Sequence, residues 1–167
     1  MLKAAVAVAA LLPALAGADT CPWLGNDVAA RVILAEPTAV SLEKNPVFAN
    51  TQGLVASTTC RFRDARELVG QLSVVVMEYA SYEAATAAYQ KELKNRASRA
   101  VPSKIGANPA YFTHDPGLSA TSCAVKEKRL VLVSHDFSRR VAEAIGKDPD
   151  GAVLSTHEVA RQALDRL

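Results

Sequence analysis

The first eighteen residues have the pattern of a secretory signal peptide, which sets the conditions under which the rest of the chain folds. Lys3 provides a basic start, residues 4–15 form an almost unbroken apolar run, and Ala16-Gly17-Ala18 supplies the small side chains of a cleavage site. About twelve apolar residues, at about 1.5 Å each, are too few to cross a hydrocarbon core of about 30 Å. We therefore expect cleavage after Ala18 and a periplasmic or secreted protein, folded where thiols oxidise.

Residues 19–167 then remain as the mature chain, which has the usual size of a single domain and can bury a core. This part carries 18 basic and 17 acidic side chains, because the leader removes one base, Lys3, and no acid. A near-neutral chain with charges of both signs gives no electrostatic reason to expect nucleic acid as a partner. No apolar run after residue 18 is long enough to span a bilayer, so we expect no membrane span.

The mature chain contains three cysteines, Cys21, Cys60 and Cys123. An odd number predicts one disulfide and one remaining thiol. We predict a bond between Cys21, at the start of the mature chain where a covalent link restrains the terminus, and Cys60, which faces inward in a predicted strand. Pairing of Cys60 with Cys123 is the alternative, because connectivity cannot be deduced from sequence. Asp19 and Thr20 separate the cleavage site from Cys21, and this disfavours a lipid anchor there.

Hydrophobic periodicity predicts two groups of helices and strands. The first group comprises a helix at 26–34, strands at 56–63 and 71–79, and a helix from a Ser81 cap to about residue 99. The second comprises strands at 110–114, 120–126 and 129–136, a short helix at 138–145 and a final helix that starts at Ser155. Residues 38–53 are predicted to form a long loop with room for one short strand, and residues 102–109 to interrupt the chain before the second group of strands.

Two local signals shape the fold prediction. Three successive valines, Val74 to Val76, favour a strand that is covered on both faces. The sequence from Ser155 to Glu158 matches a capping box at the start of the last helix. Strands joined by hairpins, with helices between the groups, predict an α+β fold in which N-terminal, central and C-terminal helices pack on an antiparallel sheet. We expect residues 19–167 to form one such domain.

The element order resembles that of small secreted bacterial proteins of unknown function with a Mog1/PsbP-like α/β sandwich. The resemblance rests on Cys21-Pro22-Trp23-Leu24, a later Cys60-Arg61-Phe62 strand, a helix rich in alanine and tyrosine, and a terminal alanine–leucine helix. It implies a sandwich around an antiparallel sheet and a binding or adaptor role more often than catalysis. It offers no site motif, so it assigns no functional residue.

Histidines are the candidates for metal or catalytic chemistry. His114 and His135 are each followed by an aspartate, Asp115 and Asp136, at the end of a predicted strand. If those strand ends meet at one edge, the two pairs could hold a metal ion. The alternative is turn chemistry, because no HxH or HExxH spacing fixes two ligands on one element. His157 lies in the predicted capping box, which favours a solvated position.

Other reactive groups are poorly placed in the predicted elements. Cys60 and Cys123 lie in alternating strands, where a thiol is buried or bridged rather than activated. The sequence has no Gly-x-Ser-x-Gly elbow and no glycine-rich phosphate loop. We therefore predict no catalytic, cofactor or metal site, and an extracytoplasmic binding or accessory domain for a protein or small-molecule ligand. The alternative is a small metal-dependent hydrolase that uses His114 and His135.

Overall fold

The computed structural model describes residues 21–45, 53–67, 70–146 and 148–167. The predicted signal peptide and its cleavage site lie outside these residues. The strands are β1 (Ala39–Asn45), β2 (Leu54–Arg63), β3 (Gln71–Tyr79), β4 (Val101–Ile105), β5 (Asn108–Asp115), β6 (Ser119–Lys126) and β7 (Arg129–Asp136). Within the described residues these seven strands form one antiparallel sheet in the order β1-β2-β3-β7-β6-β5-β4. The sheet thus joins two meanders where β3 pairs with β7.

Four helices accompany the sheet in the described part of the chain. They are α1 (Asn26–Ile33), α2 (Tyr82–Asn95), α3 (Arg139–Ala144) and α4 (Pro149–Asp165). The Ser81 hydroxyl accepts a hydrogen bond from the Ala84 N–H and caps α2, as predicted. Together with the antiparallel sheet, these helices confirm the predicted α+β class. No helix among the described residues is long and apolar enough to cross a bilayer.

The start of α4 differs from the sequence prediction. The helix begins at Pro149, after an Asp148 cap whose carboxylate accepts from the Asp150 N–H at 3.0 Å. Proline suits the first helical position because its missing N–H has no partner there in any case. The predicted capping box at Ser155 is therefore wrong, and the Ser155 hydroxyl donates to the Ala152 carbonyl inside the helix. This earlier start moves His157 from the first turn into the helix interior.

Strand β4 was not predicted, because Pro102 indicates an interruption of regular secondary structure. β4 is an edge strand that pairs with β5 alone, and an edge tolerates proline. Pro102 and Pro109 have no N–H, so the residue pairs that contain them cannot be hydrogen-bonded pairs. The pairs that alternate with them, including Ser103 with Ala110, are therefore the hydrogen-bonded pairs of β4 and β5. The Lys104 N–H therefore points away from β5, toward the open edge of the sheet.

The two faces of the sheet pack against different helices. On one face, α1 and α4 cover a core cluster that includes Phe62, Val74 and Val133. On the other, α2 contributes Tyr89 to a cluster that includes Tyr111 of β5. Strand β3 contributes side chains to both clusters, which agrees with the prediction from its run of valines.

The cysteines are divided between these clusters. Cys21 and Cys60 form a disulfide on the face covered by α1, with their Cα atoms 5.7 Å apart. This is the pairing that the sequence favoured. Cys123 is a free thiol, buried on the α2 face.

Candidate functional site

A groove with a volume of about 480 Å³ lies between α4 and the turn that joins β4 to β5. Its walls are formed by Lys104, Ile105, Gly106, Leu154, His157, Glu158 and Arg161. We call this cavity the α4–β4 groove. Gly106 has a φ of +61°, which the tight two-residue turn between the strands requires. The groove therefore depends on β4, the strand that the sequence analysis missed.

His157 lies in the groove wall with a serine hydroxyl at each ring nitrogen. Ser103 Oγ lies 3.0 Å from His157 Nε2, and Ser122 Oγ lies 2.7 Å from His157 Nδ1. Ser103 comes from the edge strand β4, Ser122 from β6, and His157 from the middle of α4, which packs on the sheet. The fold thus brings together three side chains that are far apart in sequence.

The neighbouring hydroxyl fixes the donor order of this chain of hydrogen bonds. Thr156 Oγ1 donates to the Ala152 carbonyl at 3.2 Å, because a carbonyl oxygen can only accept. Ser122 Oγ lies 2.7 Å from Thr156 Oγ1 and 2.7 Å from His157 Nδ1. With the Thr156 proton on the carbonyl, we assign the Ser122 proton to Thr156 and the Nδ1–H to Ser122. His157 Nε2 is left with a lone pair, which accepts from the Ser103 hydroxyl.

Burial supports this arrangement. Ser122 and Thr156 are fully buried, whereas Ser103 and His157 are half-buried. Burial lowers the pKa of His157, which keeps the imidazole neutral at neutral pH. The Phe112 ring meets the imidazole edge-on at a centroid distance of 5.9 Å and limits its movement. A neutral, oriented imidazole beside a reachable hydroxyl can hydrogen-bond a polar ligand or take the hydroxyl proton.

The other two histidines do not form a shared site. His114 and His135 both pair in register with Ala120, so one strand separates them and their Cα atoms are about 10 Å apart. The Phe137 ring contacts both imidazoles, at centroid distances of 6.3 Å and 5.0 Å. His114 Nε2 is hydrogen-bonded to the Gly146 carbonyl at 2.9 Å. Among the described residues, no cluster of three His, Cys, Asp or Glu side chains could hold a metal ion.

His135 itself is fully buried, and neither of its ring nitrogens has a hydrogen-bond partner among the described residues. Burial lowers its pKa to about 4. A small cavity of about 10 Å³ adjoins it, lined also by Asp64, Glu67 and Arg140. His135 is therefore a neutral core residue, remote from the groove.

A second, polar cavity of about 340 Å³ lies near the end of α2 and is lined by Arg96, Arg99 and His114 among other residues. Its arginines already have acidic partners, since Arg96 lies 3.4 Å from Glu92 and Arg99 lies 3.6 Å from Asp115. A helix C-terminus also disfavours an anionic ligand. This cavity is a weaker candidate than the α4–β4 groove.

Sequence reasoning missed both serines of the groove. Two signals could have indicated His157 and Ser122, and neither concerns Ser103. Asp148 followed by Pro149 is a helix-start pattern, and extending the helix from there places Thr156 and His157 well inside it. Ser122 alternates with two small residues, Ala120 and Ala124, which marks the face of β6 that a helix approaches closely.

No protein-family model matches the chain, and no curated protein matches its sequence. A fold alone does not imply a function. What the protein does is therefore argued from the groove and its side chains.

Proposed function

We propose that this protein is an extracytoplasmic binding domain whose α4–β4 groove takes a small molecule with an apolar chain and a carboxyl or ester group. The observation that carries the proposal is the combination of apolar surface, one unpaired cation and a hydrogen-bonded imidazole in a single groove. Mostly apolar pockets with a few placed polar groups are typical of small-molecule sites.

The apolar part of the ligand is inferred from Leu154 and Ile105. Leu154 is 70% exposed at the rim, although it lies on a helix that packs its other face against the sheet. Ile105 is buried in the groove wall and extends the apolar surface inward. Exposed apolar side chains beside a cavity favour a ligand that covers them.

The polar part is inferred from charge. Arg161 is held by Glu158 at 2.7 Å and Asp165 at 2.9 Å, so two carboxylates within α4 more than offset its charge. Lys104 is exposed and has no ion-pair partner among the described residues. Lys104 alternates with Ser103 and Ile105 in β4, so its side chain leaves the strand on the other face, at the open edge of the sheet beside the groove. A positive charge at this edge, next to apolar surface, complements a carboxylate or the carbonyl of an ester.

The location and the fold family remain parts of the proposal. The Cys21–Cys60 disulfide is compatible with an oxidising compartment outside the cytoplasm. Helices pack on both faces of the antiparallel sheet, and the Mog1/PsbP-like sandwich stays part of the proposal. The alternative of a metal-dependent hydrolase built on His114 and His135 gains no support, because the two imidazoles share no site.

Binding can be tested by calorimetric titration of the oxidised protein with octanoate and with octylamine, which has the same chain and the opposite charge. We expect octanoate to bind and octylamine to bind more weakly. L154S should weaken octanoate binding at least tenfold by removing apolar contact, and K104A about threefold by removing an exposed charge.

Two variants with equivalent changes elsewhere serve as controls. Leu118 is 65% exposed in the turn before β6, and Lys91 is exposed on α2, which packs on the opposite face. L118S and K91A should leave octanoate binding unchanged. Equal binding of octanoate and octylamine, or equal losses in the test and control variants, would show that the groove is not the site.

A further inference from the structure

We infer that Ser103 is a nucleophile activated by His157, and that the groove hydrolyses esters of the acyl compounds that it binds. This inference rests on the proposed function, because the acyl chain of the ester occupies the α4–β4 groove. It adds an activity that the binding proposal does not require.

The geometry supplies the parts of a nucleophilic serine site. Ser103 Oγ donates to His157 Nε2 at 3.0 Å, and the Nδ1–H of the same ring donates to Ser122 Oγ at 2.7 Å. The third group therefore fixes the tautomer in which Nε2 can take the serine proton. Such sites are recognised by these roles and distances, not by residue order or fold.

Burial distinguishes the two serines. Ser122 is fully buried, and its hydroxyl proton is directed to Thr156. Ser103 is half-buried and precedes Lys104, which lines the groove. Of the two serines, only Ser103 is partly exposed and hydrogen-bonded to Nε2, and it lies beside the lining residues Lys104 and His157, so Ser103 is the nucleophile and Ser122 a positioning residue.

The open edge of the sheet provides a donor for the negative charge that forms on the carbonyl oxygen. The Lys104 N–H follows the nucleophile directly and points away from β5 because of the pairing around Pro102 and Pro109. A backbone N–H beside the nucleophile is a common oxyanion donor in serine hydrolases. We assign that role to Lys104.

The reaction proceeds in two balanced steps. Ser103 Oγ attacks the ester carbonyl carbon while its proton passes to His157 Nε2. The bond from that carbon to the alcohol oxygen then breaks, and the same proton goes to the departing alcohol. A water molecule next attacks the acyl group on Ser103 and gives one proton to Nε2. The carbon–Oγ bond breaks, Oγ takes that proton back, and the carboxylic acid leaves.

The test is covalent labelling of the oxidised protein with an octyl fluorophosphonate, followed by intact-mass measurement and peptide mapping. We expect one adduct per chain on Ser103, formed with loss of fluoride. S103A should not be labelled, and H157Q should be labelled about a hundredfold more slowly. H114Q, which alters a histidine outside the groove, should be labelled at the rate of the unaltered protein. Hydrolysis of 4-nitrophenyl octanoate should follow the same order.

Octanoate titration of S103A separates this inference from the proposed function. If Ser103 is not labelled while octanoate still binds, the inference is wrong and the binding proposal stands. If Ser103 is labelled although octanoate does not bind, the nucleophile is established and the assigned ligand class is wrong. Labelling of another residue, or equal rates for H157Q and H114Q, also overturns the inference. The peptide map of the unaltered protein decides the labelled position even if a variant does not fold.

Discussion

The sheet face covered by α1 and α4 holds two histidines in opposite circumstances. On the α1 side, His135 is fully buried, and within the described part of the chain neither ring nitrogen has a hydrogen-bond partner. On the α4 side, both nitrogens of His157 are hydrogen-bonded, and the ring reaches a groove. The same side chain is a destabilising core residue in one place and a candidate base in the other.

The difference arises from what each neighbouring element supplies. His135 meets the edge-on ring of Phe137 at 5.0 Å and pairs across the sheet with Leu72, and none of the polar groups that line the adjoining cavity in the described residues is hydrogen-bonded to its ring. His157 lies where hydroxyls from β4, β6 and α4 converge. We therefore assign a role in stability to the α1 side and the proposed chemistry to the α4 side. The predictions below test this division.

Removing the disulfide should have the largest effect. The double variant C21S/C60S opens a loop with a sequence separation of 39, for which the loop-entropy relation gives a loss of about 4 kcal/mol in the free energy of unfolding. Urea denaturation measures this loss. C123A is the matched control because it leaves the disulfide intact, and its free energy of unfolding should fall by less. Where the double variant remains folded, labelling of Ser103 should be unchanged. A loss of labelling in folded protein would show that the two sides are coupled.

Acid should destabilise the protein through His135. In the unfolded chain the histidine pKa is about 6.5, and in the folded protein the pKa of His135 is about 4. The unfolded state binds more protons between these values, so stability is full above about pH 6.5 and falls by about 3 kcal/mol by pH 4. H135L should remove this dependence, and H114Q should retain it. Urea denaturation at several pH values measures the slope.

The pH range separates this effect from that of Asp64. Hydrogen bonds from Arg66 lower the pKa of Asp64 from 3.8 to about 2. Its contribution to stability is therefore present above pH 3.8 and is lost only as the pH falls toward 2. If the free energy of unfolding of H135L still falls between pH 6.5 and 4, the buried imidazole is not the source of this pH dependence.

The smallest change in stability is expected for S122A. Removing one hydroxyl from the buried chain of hydrogen bonds should lower the free energy of unfolding by about 1 kcal/mol. Labelling of Ser103 should slow at least tenfold, because Nδ1 loses the acceptor that fixes the tautomer, while octanoate binding is retained. S73A, in β3, removes a serine remote from the groove and should not slow labelling. Equal labelling rates for S122A and the unaltered protein would exclude a positioning role for Ser122.

The labelling rate also has an expected pH dependence. A protonated imidazole cannot accept the Ser103 proton, so the rate should fall as the pH drops through the pKa of His157, which burial lowers. S122A should change this profile as well as the rate, which a purely structural role would not do. A rate that does not depend on pH between 4 and 8 would contradict His157 as the base.

The central strands could be predicted because burial leaves a clear pattern in them. Cys60 and Phe62 alternate with polar residues in β2, and β3 has a run of valines. Strand β1 lies within residues 38–53, for which the sequence predicts a loop with room for one short strand, whereas β4 was missed, because an edge strand pairs on one side only and tolerates proline and charge. Ser103 lies in such a strand, so its position next to a histidine was not readable from the sequence.

The groove was missed for a second reason, the start of α4. Ser155 and Glu158 fit a capping box, but Asp148 and Pro149 form an earlier start in the structure. Both patterns satisfy local rules, and the choice between them depends on packing against the sheet, which is a tertiary effect. If the helix started at Ser155, His157 would lie in a solvated first turn. The sequence then gives no reason to expect a hydrogen-bond partner for it.

Cys123 determines when thiol exchange in this chain can occur. Three cysteines permit three different disulfides, and exchange among them requires a thiolate. Burial raises the pKa of Cys123 to about 12, so about one molecule in 10⁵ carries the thiolate at pH 7. Once β6 is covered by α2, Cys123 can no longer attack the bond between Cys21 and Cys60. The choice among the three disulfides is thus confined to the period before that face closes.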